Sequence, residues 1–184
     1  MGVDVVTDEL VDAARAGDVA ALNTLYRGLA PAVHGYLCSK GVEDADGATS
    51  EVFLSLFDRL PRVRGGATGL RKLTFSIAHA RMVDEHRARK RRPIGVDWSV
   101  DTDPRQVPSA EHQAELNDGT RRVMRMLDRL PADQREVLVL RIVADLAVDQ
   151  IADIMGRSSG AVKQLQRRGM VTLRAIVEAQ GVTL

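Results

Sequence analysis

LAVDQIADIMGRSSGAVKQLQRRGMVTLR, residues 146–174, decides how this chain is read. Ile151, Ile154 and Met155 form the inner face of a short helix. Gly156 then supplies the residue that ends a helix in a left-handed conformation. Ser158 or Ser159 can cap the next helix. There Val162, Leu165, Gly169 and Leu173 recur at spacings of three and four and define a packing face. Lys163, Gln164, Arg167 and Arg168 fall on the other side. This is the layout of a helix-turn-helix. The small residues Ser158, Ser159 and Gly160, beside Arg157, let the helix end come close to a DNA major groove, where backbone amides can meet a phosphate. Lysine and arginine can read guanine, and glutamine can read adenine. The same spacing also fits a solvated basic face on an ordinary helical hairpin.

Upstream, the sequence remains helical in character. Pro131 begins PADQREVLVLRIV, apolar on most sides from Val137 to Val143 and expected to be central. Ser109 can cap the helix before it, which runs toward Leu130. Further back lies PIGVDWSVDTDPRQVP, residues 93–108, with three prolines, three aspartates and no helical period. It reads as an extended acidic linker. Before the linker, four helices are expected. Thr7 caps the first and Asp18 the second, in which Leu22, Leu25, Leu29, Val33 and Leu37 share a face. The third carries Val52, Phe53, Leu56 and Phe57 and stops at Pro61. RVRGGATG, residues 62–69, is a basic, glycine-rich loop. The fourth helix starts near Thr68 and ends in RARKRR. The expected fold is all-α: two small helical domains, 1–92 and 109–184, joined by an extended linker at 93–108.

Composition supports this and excludes several classes. Apolar residues make up 45% of the 184, but aromatics only 3%, so the core is aliphatic and helix-favouring. The single cysteine, Cys38, can form no internal disulfide, which fits a reducing compartment. MGVDVVTDEL is acidic and lacks the layout of a signal peptide, and no apolar run approaches a bilayer span. A soluble, cytoplasmic protein without membrane association is expected. His34 and Cys38, four apart, could be two metal ligands or a base and nucleophile. A metal site needs a third or fourth ligand, so a packed helix face is the expected reading. His79 and His86, seven apart, lack an obvious third ligand. No cofactor or metal is expected, and no catalytic constellation emerges.

The stretch LPADQREVLVLRIVADLAVDQIADIMGRSSGAVKQLQRRGMVTLR also resembles region four of bacterial extracytoplasmic-function sigma factors. The resemblance rests on Leu130-Pro131, Gln134-Arg135-Glu136, the run Leu138–Arg141, Leu146, Ile151-Ala152, Gly156, Gly160 and Val162-Lys163. It implies that Arg157, Ser158, Ser159, Gly160, Lys163, Gln164, Arg167 and Arg168 meet the promoter −35 element. SEVFLSLFDRL and GLRKLTFSIAHARMVDEHRARKRR resemble region two. That implies a −10-binding surface of Arg62, Arg64, Gly65, Gly66, Thr68, Arg71, Lys72, Phe75 and His79, with the loop at 62–69 holding a flipped base. It further implies that Asp46, Ser50, Glu51 and Leu54 bind core RNA polymerase. Within the same resemblance the linker, with Asp97, Asp101 and Asp103, threads the polymerase cleft, and an anti-sigma factor is an expected partner. The chain departs from the family pattern at Gly47 and Ser50, at Leu73 where an aromatic is usual, and at Leu165-Gln166. The expected function is promoter-specific initiation with core polymerase. The alternative is a free-standing helix-turn-helix regulator.

Overall fold

The computed structural model of the chain describes residues 6–91 and 125–179; the linker at 93–108, with Trp98, and the start of the helix expected from Ser109 lie outside the described residues. Every regular element among the described residues is helical: α1 (Asp8–Arg15), α2 (Val19–Ser39), α3 (Ala45–Arg59), α4 (Gly66–Arg91), α5 (Ala132–Leu138), α6 (Val148–Met155) and α7 (Ser159–Ala179). A short 3₁₀ turn, Leu60–Arg62, follows α3, and a π-helical turn, Val139–Val143, follows α5.

Local chemistry starts these helices where the sequence places caps. Thr7 Oγ1 accepts from the Leu10 amide at 3.3 Å and Asp18 Oδ1 from the Ala20 amide at 2.9 Å. Each cap satisfies an amide that has no partner within the helix and contributes about 1 kcal/mol. On α2 the expected face packs inward, with Leu25, Leu29, Val33 and Leu37 fully buried. Burial of each of these side chains contributes roughly 2 kcal/mol.

Two expectations need correction. The fourth helix begins at Gly66 rather than near Thr68, so much of the 62–69 loop is the first turn of α4. The reason is a cap supplied from elsewhere: Asp8 Oδ1, on α1, accepts from the Ala67 amide at 2.7 Å. Gly66, at φ +55°, leaves room for that carboxylate, since a Cβ there would collide with it. The run Val137–Val143 is central only in its first part. Val137 to Leu140 are buried, whereas Ile142 is 47% exposed. The π turn adds a residue to the helical repeat and rotates Ile142 outward.

The two halves pack against each other, and the buried apolar residues of both form one continuous core. At their seam sits a buried carboxylate. Glu136 on α5 is 4% exposed. Its Oε1 accepts from the Tyr36 hydroxyl at 2.8 Å and lies 3.1 Å from His79 Nδ1, and its Oε2 accepts from Lys40 Nζ at 2.6 Å. Arg135 Nη1 donates across the same seam to the Ser39 carbonyl at 3.2 Å.

Candidate nucleic-acid interface

The helix-turn-helix forms from α6 and α7. Gly156 ends α6 at φ +61°, in the left-handed conformation expected of it. Ser158 is the cap of α7: its Oγ accepts from the Ala161 amide at 3.2 Å. Ser159 instead donates to Asp149 Oδ1 at 2.6 Å and ties the start of α7 to α6. Val162 and Gly169 are buried and Leu165 and Leu173 half-buried, so the predicted inner face is the one that packs. Gly169 is needed for closeness: a Cβ there would lie 3.1 Å from Leu138 Cδ1.

The opposite face of α7 presents Lys163, Gln164, Arg167 and Arg168, all polar and turned from the core. None of the three cations takes part in an ion pair among the described residues. Gly160 is also exposed at the first turn. Arg157 differs, since its Nη2 donates to Asp133 Oδ2 at 2.7 Å and braces the turn against α5. The helix therefore carries four polar side chains on one face that are unengaged among the described residues, beside a serine-capped N-terminus. Such a face can meet base edges and phosphates at once.

The second predicted surface is arranged differently. Arg62, Arg64 and Thr68 are exposed around the turn into α4, with Gly65 beside them at φ +82°. Phe75 is a correction. It is fully buried and packs edge-on to Tyr36 at a centroid distance of 5.9 Å. In this packing it can stack on no base, because its ring fills the core between α2 and α4. Arg71, Lys72 and His79 are occupied by the other half. Lys72 Nζ donates to Asp153 Oδ2 at 2.6 Å, Arg71 Nη2 lies 3.5 Å from Asp145 Oδ2, and His79 faces Glu136. These partners had no signal in local sequence.

On α3, Ser50, Glu51 and Leu54 share an outward face, and Leu54 is 71% exposed despite being a large apolar residue. Glu51 pairs with Arg81 of α4. Asp46 is turned partly inward, with Oδ1 3.3 Å from His34 Nε2. Gly47 has a local purpose: its amide donates to Asp44 Oδ1 at 2.8 Å, and a Cβ would collide with that capping carboxylate.

Cys38 and His34 form a packed pair, with Sγ 3.7 Å from Nε2. Burial, reinforced by the nearby carboxylates of Asp46 and Asp128, pushes the Cys38 thiol up to about 11, so it stays protonated and unreactive at neutral pH. His86 Nε2 faces the Lys40 carbonyl at 3.0 Å, and His79 belongs to the seam. No cluster of three metal-ligating side chains occurs among the described residues. No helix among them is long and apolar enough to cross a membrane.

Comparison with known proteins agrees with this arrangement. The family described as Sigma-70, region 4 matches residues 120–173. The chain is 32% identical over 186 aligned positions to the ECF RNA polymerase sigma factor SigD of Mycobacterium tuberculosis, covering 95% of this chain and 85% of the relative. It is 30% identical to the ECF RNA polymerase sigma factor ShbA of Streptomyces griseus over 70% of this chain and 69% of that protein. Among solved structures, the sigma factor RpoE from Bartonella quintana, in complex with the anti-sigma factor NepR, superposes with a TM-score of 0.57. It shares 19% identity, over 87% of this chain and 98% of that one. That likeness fixes the all-α fold, and the sequence relatives fix the kinship: the chain belongs to the extracytoplasmic-function RNA polymerase sigma factors.

Proposed function

We propose that the chain binds bacterial core RNA polymerase and directs it to promoters in which α7 reads the −35 element and the surface around α4 engages the −10 element. Residues 1–92 would supply polymerase and −10 contacts, residues 109–184 the −35 contacts, and residues 93–108 the connection through the polymerase. The observation that carries this reading is the face of Lys163, Gln164, Arg167 and Arg168 on a helix-turn-helix, unpaired among the described residues. A free-standing regulator is disfavoured, since the sequence relatives are RNA polymerase sigma factors. The work would take place in the cytoplasm, where polymerase and promoter meet. The solved RpoE–NepR complex supports an anti-sigma protein as a further partner. Leu54, exposed on α3, is the apolar anchor that polymerase would cover and an anti-sigma protein would hide.

The test is transcription from a randomised promoter library by purified chain and core polymerase. Initiation from a two-part motif supports the reading; enrichment of a palindrome by the chain alone refutes it. Lys163→Ala with Arg167→Ala is expected to lower initiation from the selected promoter roughly ten- to hundredfold, at about 1–3 kcal/mol lost to the −35 element. Affinity for core polymerase, measured by fluorescence anisotropy, should not change; a parallel loss would make these residues structural.

Glu51→Lys is expected to act the other way. It places a cation beside Arg81 and beside Leu54, on the face offered to polymerase. Assembly with core polymerase should weaken roughly tenfold, a typical effect of reversing a charge at an interface. Fold stability should change by less than about 1 kcal/mol, as befits an exposed pair. Normal assembly of this variant would remove Glu51 from the polymerase-binding face.

A further inference from the structure

We infer that Asp8 is a positioning residue for promoter opening: by capping α4 from α1 it holds residues 62–66 in the shape that receives an unstacked base of the −10 element. This rests on the reading of that loop as a −10 surface. Asp8 Oδ1 accepts from the Ala67 amide at 2.7 Å, across 59 positions of chain. The bond is not needed to start α1, which has a cap of its own: Thr7 Oγ1 accepts from the Leu10 amide at 3.3 Å. Glu9 supplies a further acid to the first turn of α1. Asp8 serves instead the first turn of α4, whose leading amides have no partner within their own helix.

The loop runs between two holds supplied by α1. At its start, Arg15 Nη2 reaches the Pro61 carbonyl in the 3₁₀ turn at 3.5 Å. Asp8 and Arg15 are about 10 Å apart along α1, at 1.5 Å per residue. Between the holds Val63 is buried and fixes the loop to the core, while Arg62, Arg64 and Gly65 are exposed. Gly65 and Gly66 follow one another in the left-handed region, at φ +82° and +55°. Two consecutive glycines have the most conformational freedom to lose, so this path needs a restraint from outside. The Asp8 carboxylate provides it, in contact so close that a Cβ on Gly66 would collide with it. The Gly69 amide provides another by donating to the Gly65 carbonyl at 2.9 Å. The loop backbone is thus tied both to α1 and to the first turn of α4.

Order in this loop matters because base capture is a binding step. Each loop residue that must be ordered at that moment subtracts from what the captured base gains. The effect is selective. A base that fits the loop benefits from its order, whereas a base that does not fit never uses it. Loss of the cap therefore lowers capture of the preferred base and narrows the discrimination between bases. A residue of merely structural value would lower capture of all bases alike, together with polymerase affinity. The sign is informative as well. Asp8 is an anion beside a surface read as DNA-facing, so by charge alone its removal would strengthen DNA binding. Through the cap, its removal weakens capture.

The test uses the full chain with core polymerase on the promoter selected from the library, each base of its −10 element replaced in turn. Opening is read from the permanganate reactivity of unpaired thymines. Asp8→Ala is expected to slow opening of the preferred promoter roughly fivefold, the weight of one ordinary cap, and to narrow the preference at the captured position by a similar factor. Asp8→Asn keeps an acceptor for the Ala67 amide and should stay within about twofold of the wild type, since asparagine and aspartate cap equally well. Glu9→Ala removes the neighbouring acid of α1 without touching the cap on α4 and should match the wild type. In the free chain, hydrogen exchange at the Ala67 amide should quicken in Asp8→Ala while α3 keeps its protection. Unchanged opening and preference in Asp8→Ala, or faster opening from the lost negative charge, would overturn the inference. So would a fall shared by every −10 sequence and by affinity for core polymerase, which would make Asp8 structural. Arg62→Ala with Arg64→Ala separates the inference from the reading beneath it. If that pair leaves opening and preference intact, the loop is not the −10 surface and both fall. If the pair lowers them while Asp8→Ala does not, the loop reading stands and the inference alone falls.

Discussion

Replacing Glu136 with alanine is expected to lower the unfolding free energy by about 3–5 kcal/mol, the cost of removing one partner from a buried ion pair. The loss is not that of one contact. Tyr36, His79 and Lys40 all turn their polar atoms toward this carboxylate, and all would be left facing a void at the seam. Urea denaturation of the full chain measures it. A loss under about 1 kcal/mol would mean that water replaces the carboxylate, and that the seam is not tightly closed.

The same residue dictates a pH dependence. Burial alone would raise the Glu136 carboxyl, but hydrogen bonds from His79, Lys40 and Tyr36, with the charge of Lys40, outweigh it and hold the carboxyl at about 2. A carboxyl whose folded value lies below its unfolded value stabilises the fold above the unfolded value and loses that contribution as pH falls. The window here runs from about 4.5 down to about 2. Over it the wild type should lose about 3 kcal/mol from this group. Glu136→Gln, which keeps an acceptor for Tyr36 but no titrating charge, should show a flatter acid limb in the same urea experiment. Parallel limbs would assign the acid sensitivity to other carboxyls.

The second large effect is expected where α7 crosses α5. Leu138 is fully buried, and Gly169 lets the α7 backbone lie against it. Leu138→Ala should cost about 3 kcal/mol through lost burial and the cavity left behind. Gly169→Ala alone should be unfavourable, despite alanine's better helix propensity. Its methyl would meet Leu138 Cδ1 at 3.1 Å and Cγ at 3.2 Å, tighter than ordinary contact. Combined, the added methyl enters the space vacated by Leu138, so the double variant should be more stable than the sum of the singles predicts, by about 1 kcal/mol. Additive losses would show that the helices shift apart instead.

Much of the candidate site was legible in the sequence because it depends on short-range chemistry. The turn at Gly156, the serine at the head of α7 and the separation of Val162 and Gly169 from Lys163, Gln164, Arg167 and Arg168 all follow from spacings of one to four residues. The α4 surface was less legible. Phe75 looked like a base-stacking aromatic, and its letter gives no hint that Tyr36, 39 positions earlier, packs against it. The glycines of residues 62–69 looked like a pocket for a base, yet Gly66 makes room for the carboxylate of Asp8, which caps α4 from another helix. The sequence also offered no reason to place Asp145 or Asp153 opposite Arg71 and Lys72.

The sequence by itself determined the helical character of the chain, the caps of α1, α2 and α7, the basic face of α7 and the membership of the sigma family that its motifs carry. Each of these is set within one or two helical turns, where periodicity and capping act. Tertiary structure alone decided which of the polar groups are free to meet a partner. Glu136 reaches Tyr36 across 100 positions of chain, and Lys72 reaches Asp153 across 81. Pairings at that range depend on how the apolar faces of α2, α4 and α5 dock, and burial of those faces is non-directional, so no local pattern encodes which charge arrives opposite which.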